Sequence, residues 1–128
     1  MAKLYLLIAA LNGFVAVALG AFGAHGLKQR LSADMLAIYQ TGVQYHFYHT
    51  FALLAVALLL MINTVQPSLL RWAGALFFVG ILIFSGSLYV LSITGLRWLG
   101  AITPLGGVAF LAGWIMLAMA AWRWTESA

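Results

Sequence analysis

Cysteine is absent, which excludes disulfides, thiolate metal sites and a cysteine nucleophile. Charge is scarce as well: six basic and two acidic residues make up 6% of the 128 positions, where a soluble domain carries about 25%. So few charged side chains cannot solvate a globule of this size. A soluble enzyme, a disordered chain and a nucleic-acid binder are all excluded. What is present is apolar: 66% hydrophobic residues and a mean hydropathy of +1.08. The composition is that of one integral membrane domain over residues 1–128. The net charge of +4 does not mark an anionic partner, because Lys3, Lys28, Arg30, Arg71, Arg97 and Arg123 are scattered. Lipid phosphates at the membrane edges are their expected partners.

The charges leave four free runs: Leu4–Leu27, Met35–Leu70, Trp72–Leu96 and Trp98–Trp122. About 20 apolar residues of helix cross a hydrocarbon core of about 30 Å, so each run holds one crossing. The spacing predicts an all-α, up-down-up-down four-helix membrane bundle with spans at about 4–24, 43–62, 72–95 and 104–122. The runs lack the alternation of barrel strands. Trp72, Trp98, Trp122 and Trp124 stand beside charged run ends, as an interfacial belt requires. The first run exceeds an ordinary signal-peptide core and is read as a retained span.

Ser32 is a predicted N-cap, with Asp34 in the first turn. A helix from Ala33 to Ile62 would be about 45 Å long. Its first turns are expected to form a short interfacial helical extension before the second span, bent near Gly42. Asn63–Ser68 reads as a loop, Gly95–Ile102 as an interfacial connection, and Thr103-Pro104 as N-cap and first helical residue. Asn12, Ala16, Gly20 and Ala24 recur every four residues as one narrow packing face, and Gly113 is a packing position on the last helix.

Up-and-down topology gathers His25, Gln40, Gln44, Tyr45, His46 and His49 in one leaflet with Ser85, Tyr89, Ser92, Thr103, Gly106 and Gly107. Tyr39, Gly42, His46, His49 and Thr50 share a stripe of the second helix, from which Gln40 and Gln44 point away. Ser85, Tyr89 and Ser92 form a matching stripe on the third. The opposite leaflet is almost purely aliphatic and Phe. Polar groups in hydrocarbon face the bundle interior or a wet cavity, so this zone is either a hydrogen-bond network or a ligand site.

Three chemistries fit the zone. Neutral imidazoles at His46 and His49, with His25, can hold a metal or haem iron or relay protons, but no carboxylate joins them and Asp34 lies outside the apolar layer. The amides opening the last helix can hold an anionic group. Serine-hydrolase chemistry is not expected, because Ser85 and Ser87 have no acid partner for a histidine base. A histidine in apolar surroundings is expected neutral, a hub with one donor and one acceptor.

GAFGAHGL at Gly20–Leu27, YQTGVQYHFYHTFALL at Tyr39–Leu54, FSGSLY at Phe84–Tyr89 and TPLGGVAFLAGW at Thr103–Trp114 together resemble the YgdD/YwdK-like small inner-membrane proteins, a family of unknown function. The resemblance spans essentially the whole chain. It implies four transmembrane helices and residence in the bacterial plasma (inner) membrane, and no reaction. The positions that match its pattern are Gly20, Gly23, His25, Gly42, Tyr45, His49, Ser85, Gly86, Tyr89, Pro104, Gly106 and Gly107. His46 is less characteristic of it, which favours His49 as the site histidine.

The expected role is non-enzymatic: an accessory protein, with no metal or cofactor, holding a lipid, small ligand or partner helix in the polar leaflet. A small oligomeric transporter or channel using His49 is the alternative, and a haem- or metal-binding redox component a third. Expected partners are membrane lipids and a second copy or another membrane protein. His49→Leu is expected to perturb the protein more than His46→Gln. Basic residues divide evenly between the two faces, and the terminal amine tips the expectation toward cytoplasmic termini.

Overall fold

Lipid offers no partner to a backbone N–H or C=O, so the charge-free runs satisfy these groups as helix. In the computed structural model, which describes residues 1–62 and 66–125, the segments long and apolar enough to cross a membrane are Ala2–Leu27, Ala33–Ile62, Pro67–Thr94 and Arg97–Trp122. The fold is all-helical among the described residues, and the four spans alternate in direction.

The first span is α1 (Ala2–Phe22), which widens into a π turn at Gly23–Leu27. α2 (Ala33–Ile62) starts where the sequence places it: Ser32 Oγ accepts the Met35 N–H at 3.2 Å, with Asp34 in the first turn. It then runs as unbroken α-helix through Gly42 to Ile62. Gly42 serves close approach. A Cβ there would lie 3.1 Å from the Tyr89 ring.

Of the predicted loop at 63–68, Asn63–Val65 lie outside the described residues, and Pro67 already opens α3 (Pro67–Gly80). The third span continues through a π turn at Ile81–Ser85 into α4 (Gly86–Thr94). Gly95, at φ 74°, stops it in a left-handed cap, its N–H bonding to Leu91 O at 2.7 Å. A 3₁₀ turn at Arg97–Ala101 fills the expected interfacial connection and leads into α5 (Thr103–Trp122). Thr103 is therefore not the N-cap that the sequence suggests. The preceding turn supplies the backbone bonds (Ile102 N–H to Leu99 O, Leu105 N–H to Ile102 O, both 3.0 Å), and the Thr103 hydroxyl is turned to Ser87, 2.6 Å away.

The spans pack as an open row. The first lies along the second, the second along the third and the third along the fourth, while the first and fourth make no extended contact. The second and fourth meet through side chains, His49 against Phe110 and Trp114, rather than backbone to backbone. The small-residue face of α1 is the seam with α2: Ala16 is fully buried, and a Cβ on Gly20 would meet Val43 at 3.4 Å. Ala24 falls on the exposed rim. Gly106 lets α5 cross the third span at backbone contact, since a Cβ there would overlap Phe84 N. Gly113 packs against Phe77.

The apolar core of Tyr5, Ala9, Leu53, Val56, Leu70, Ala73 and Phe77 fills the half of the molecule near the chain termini. Tyr5 adds a tie there, donating to Arg71 O at 2.6 Å. Near the 27–33 connection, Tyr39 donates to Leu19 O at 2.5 Å, tying the second span to the first.

Candidate functional site

The expected single polar zone divides into two arrangements on adjacent faces of α2. The first is a chain of hydrogen bonds through His46. Asn12 Nδ2 donates to Ile8 O at 2.9 Å, so Asn12 Oδ1 is the acceptor that faces His46 Nε2, also at 2.9 Å. His46 Nε2 therefore carries the proton. In the neutral ring Nδ1 is then an acceptor, and the Tyr89 hydroxyl donates to it at 2.9 Å. One directed chain, Tyr89 to His46 to Asn12 to Ile8 O, joins the third, second and first spans. Ser85 adds a rung, its hydroxyl donating to Gly42 O at 2.7 Å.

The second arrangement surrounds His49. The indole N–H of Trp114 is a donor only, and it reaches His49 Nε2 at 3.1 Å. His49 Nδ1 consequently holds the proton and donates to Tyr45 O at 2.8 Å. This pair of bonds fixes one neutral tautomer, because a second proton on Nε2 would oppose the indole N–H. The ring stacks on Phe110 with centroids 3.5 Å apart and planes 7° from parallel. Trp114 stands edge-on to both His49 and Phe77.

His49, Phe110 and Trp114 close one end of a groove of about 600 Å³ between the second and fourth spans. Tyr45, Tyr48 and Phe84 line one wall; Pro104, Gly107, Val108 and Leu111 line the other. The α5 positions recur at i, i+3, i+4, i+7 and i+10, so one helix face forms that wall. From Pro104 to Trp114 the groove extends about 15 Å at 1.5 Å per residue. That is half of a hydrocarbon core of about 30 Å. Its outer lip, Val108 and Leu111, is exposed.

The other expected site residues take several places. Ser92 is buried but bonds within its own helix, to Tyr89 O at 2.9 Å. Thr103 pairs with Ser87 at the third–fourth span seam, and Gly106 is packing at that seam, whereas Gly107 opens on the groove. Two others lie at the surface, away from both arrangements. His25 is exposed in the π turn at the end of the first span and does not cluster with His46 and His49. Gln44 is likewise exposed, lining with Gln40 a small notch beside Gly20 and Gly23, on the opposite face from the groove. A three-histidine cluster does not form. Both ring nitrogens of His46 and His49 are engaged by protein groups.

Sequence reasoning missed Phe84, Phe110 and Trp114 as site residues, and Asn12 as a polar partner rather than a spacer. A signal for Trp114 existed: it is the tryptophan standing mid-run, away from every charged end.

Comparison with known proteins places the chain in a family. A family model described as a protein of unknown function, DUF423, matches residues 19–107, which include His46, His49 and Tyr89. The chain is similar to the UPF0382 membrane protein YwdK of Bacillus subtilis, at 49% identity over 92 residues, 72% of this chain and 74% of that protein. It is 46% identical to a UPF0382 membrane protein of Haemophilus influenzae over 72% of each chain. It is 39% identical to the UPF0382 inner membrane protein YgdD of Escherichia coli over 73% of this chain and 70% of that one. No solved structure matches it.

Proposed function

The chain belongs to the DUF423 family of multi-pass membrane proteins, and from that premise we propose that it is a non-catalytic accessory protein that holds the apolar chain of a membrane lipid between its second and fourth spans. The observation that carries this reading is the aromatic-walled groove, open to the bilayer and as long as one leaflet is deep. Tyr45, Phe84 and Phe110 pack on one another along it, and the polar atoms of His49 and Trp114 at its end are already satisfied, so an apolar chain can lie there without stranding them.

The directed chain through His46 supports binding over proton passage. It ends on the Ile8 carbonyl, which accepts a hydrogen bond but cannot hand a proton onward. A haem or metal reading has less support, because a ligating imidazole needs a free lone pair and His46 and His49 both use theirs.

The test is photolabelling. The protein is reconstituted in vesicles doped with a phospholipid bearing a photoreactive group along its acyl chain, and adducts are mapped by peptide mass spectrometry. Adducts concentrated at Tyr45, Val108 and Leu111 are expected. Labelling spread evenly over lipid-facing positions such as Phe14, Leu58 and Leu82 would overturn the reading.

A further inference from the structure

The groove holds hydrogen-bond donors that a plain acyl chain would leave unused. Of the five tyrosines, Tyr5, Tyr39 and Tyr89 each spend their hydroxyl on a protein acceptor or histidine. Tyr45 and Tyr48 have no such bond among the described residues, and both line the groove. Their depth makes this unusual. Tyr45 packs on Phe84 with centroids 4.7 Å apart, and Phe84 lies about 15 Å down the third span from Thr94 at 1.5 Å per residue. Arg97 and Trp98 mark the membrane edge just beyond Thr94. A phenol hydroxyl carried into hydrocarbon without a partner costs free energy, so a hydroxyl retained there points to an acceptor that comes with the occupant.

A phospholipid keeps its phosphate and ester oxygens near the headgroup layer and brings only methylenes to this depth. A lipid whose polar group is itself a flat ring enters the hydrocarbon with it. The wall beside the two hydroxyls is aromatic: Tyr45 and Phe84 lie with centroids 4.7 Å apart and planes tilted by 35°, so a flat ring can lie on one of them with the other at its edge, while Phe110 is buried behind. The imidazole of His49 is no rival donor, because its one N–H is committed to Tyr45 O.

We propose that the occupant is a membrane quinone or a lipid of the same chemistry: a planar ring bearing carbonyl oxygens, laid on the Tyr45–Phe84 wall with the Tyr45 and Tyr48 hydroxyls donating to those oxygens, and an isoprenoid tail along the groove. The proposal concerns binding alone and rests on the reading that the groove holds a lipid chain. It assigns Tyr45 and Tyr48 as ligand donors and Phe84 as the stacking surface.

The full-length protein in phosphatidylcholine–phosphatidylglycerol vesicles is titrated with a short-tailed benzoquinone while tryptophan fluorescence is followed. Trp114 borders the groove, so a bound ring gives a saturable quenching component above the linear background of quinone dissolved in lipid. The double variant Tyr45→Phe/Tyr48→Phe keeps both rings and removes both donors, and its apparent affinity is expected to fall about tenfold, the worth of two ordinary hydrogen bonds. Equal saturable quenching in both proteins, or only linear quenching in the wild type, overturns the assignment. A second measurement does not depend on the variant: the quinone should suppress photolabelling of the groove by the acyl-chain probe, and the isoprenoid alcohol with the same tail should not. Suppression by both overturns the ring's role. If the quinone fails while the acyl probe still labels the groove, the ring assignment falls and the lipid-chain reading stands. If neither engages the groove, both fall.

Discussion

His46 and His49 sit three residues apart on α2, both buried and both with two ring partners, yet they do opposite things. His46 lies where the first, second and third spans press together, and its two nitrogens join the outer two. His49 lies where the second and fourth spans stand apart. Its nitrogens reach one residue of its own helix and one tryptophan across the gap, and its ring faces Phe110 at the end of a groove. The same side chain closes one side of the molecule and finishes the floor of an opening on the other. Histidine identity does not decide between these roles; the separation of the neighbouring helices does.

Substitutions can break or sharpen this contrast. Gly106→Val should have the largest effect, because the third and fourth spans touch at the Phe84 backbone and must separate. A loss of about 3 kcal/mol is expected from equilibrium unfolding in mixed micelles, with the groove deformed as well. His46→Leu comes next. It strands the Tyr89 hydroxyl and the Asn12 carbonyl in the interior, for a loss of about 2 kcal/mol, and the acyl-probe labelling pattern should stay at Tyr45, Val108 and Leu111. Trp114→Phe keeps a ring but removes the indole donor, worth about 0.6 kcal/mol within a membrane. Its signature should be altered labelling of the groove with little change in unfolding. Gln44→Leu touches neither arrangement and should shift stability by less than about 0.5 kcal/mol. A His49→Leu variant less stable than His46→Leu would reverse the assignment of the two histidines.

Much of this was legible in the sequence. Charges at Lys3, Lys28, Arg71, Arg97 and Arg123 bracket the spans because a buried charge is too costly to place elsewhere. The Asn12–Ala24 spacing marks the seam between the first two spans because only small side chains permit that approach, and the Ser32 cap is a local bond between near neighbours. The concentration of aliphatic core in one half comes from counting residue types along antiparallel spans.

The rest depended on facts that no single helix carries. His46 and His49 are about 60° apart on the α2 wheel, and only the position of α5 decides which of them meets a gap. Both histidines are candidates in the sequence, and His49 is favoured because it matches the family pattern; that His46 joins three spans was not legible there. Asn12 read as a spacer because its spacing matched Ala16 and Gly20, and its amide acquired a role only once His46 was brought opposite. His25 and Gln44 shared the right leaflet but not the right azimuth. The π turns at Gly23–Leu27 and Ile81–Ser85 shift the residues beyond them by a fraction of a turn, which a fixed 100° step does not anticipate.

Gly107 gives the most direct access to the central claim, that the gap between the second and fourth spans is a lipid-chain site. A Cβ at this position meets only the Phe84 ring, at 3.9 Å, so Gly107→Leu fills the groove without forcing backbone apart. The measurement is native mass spectrometry of protein released from bilayer nanodiscs. The wild type is predicted to retain one lipid molecule per chain, and Gly107→Leu to lose it while remaining folded. Equal retention by both proteins, or none by the wild type, would contradict the account.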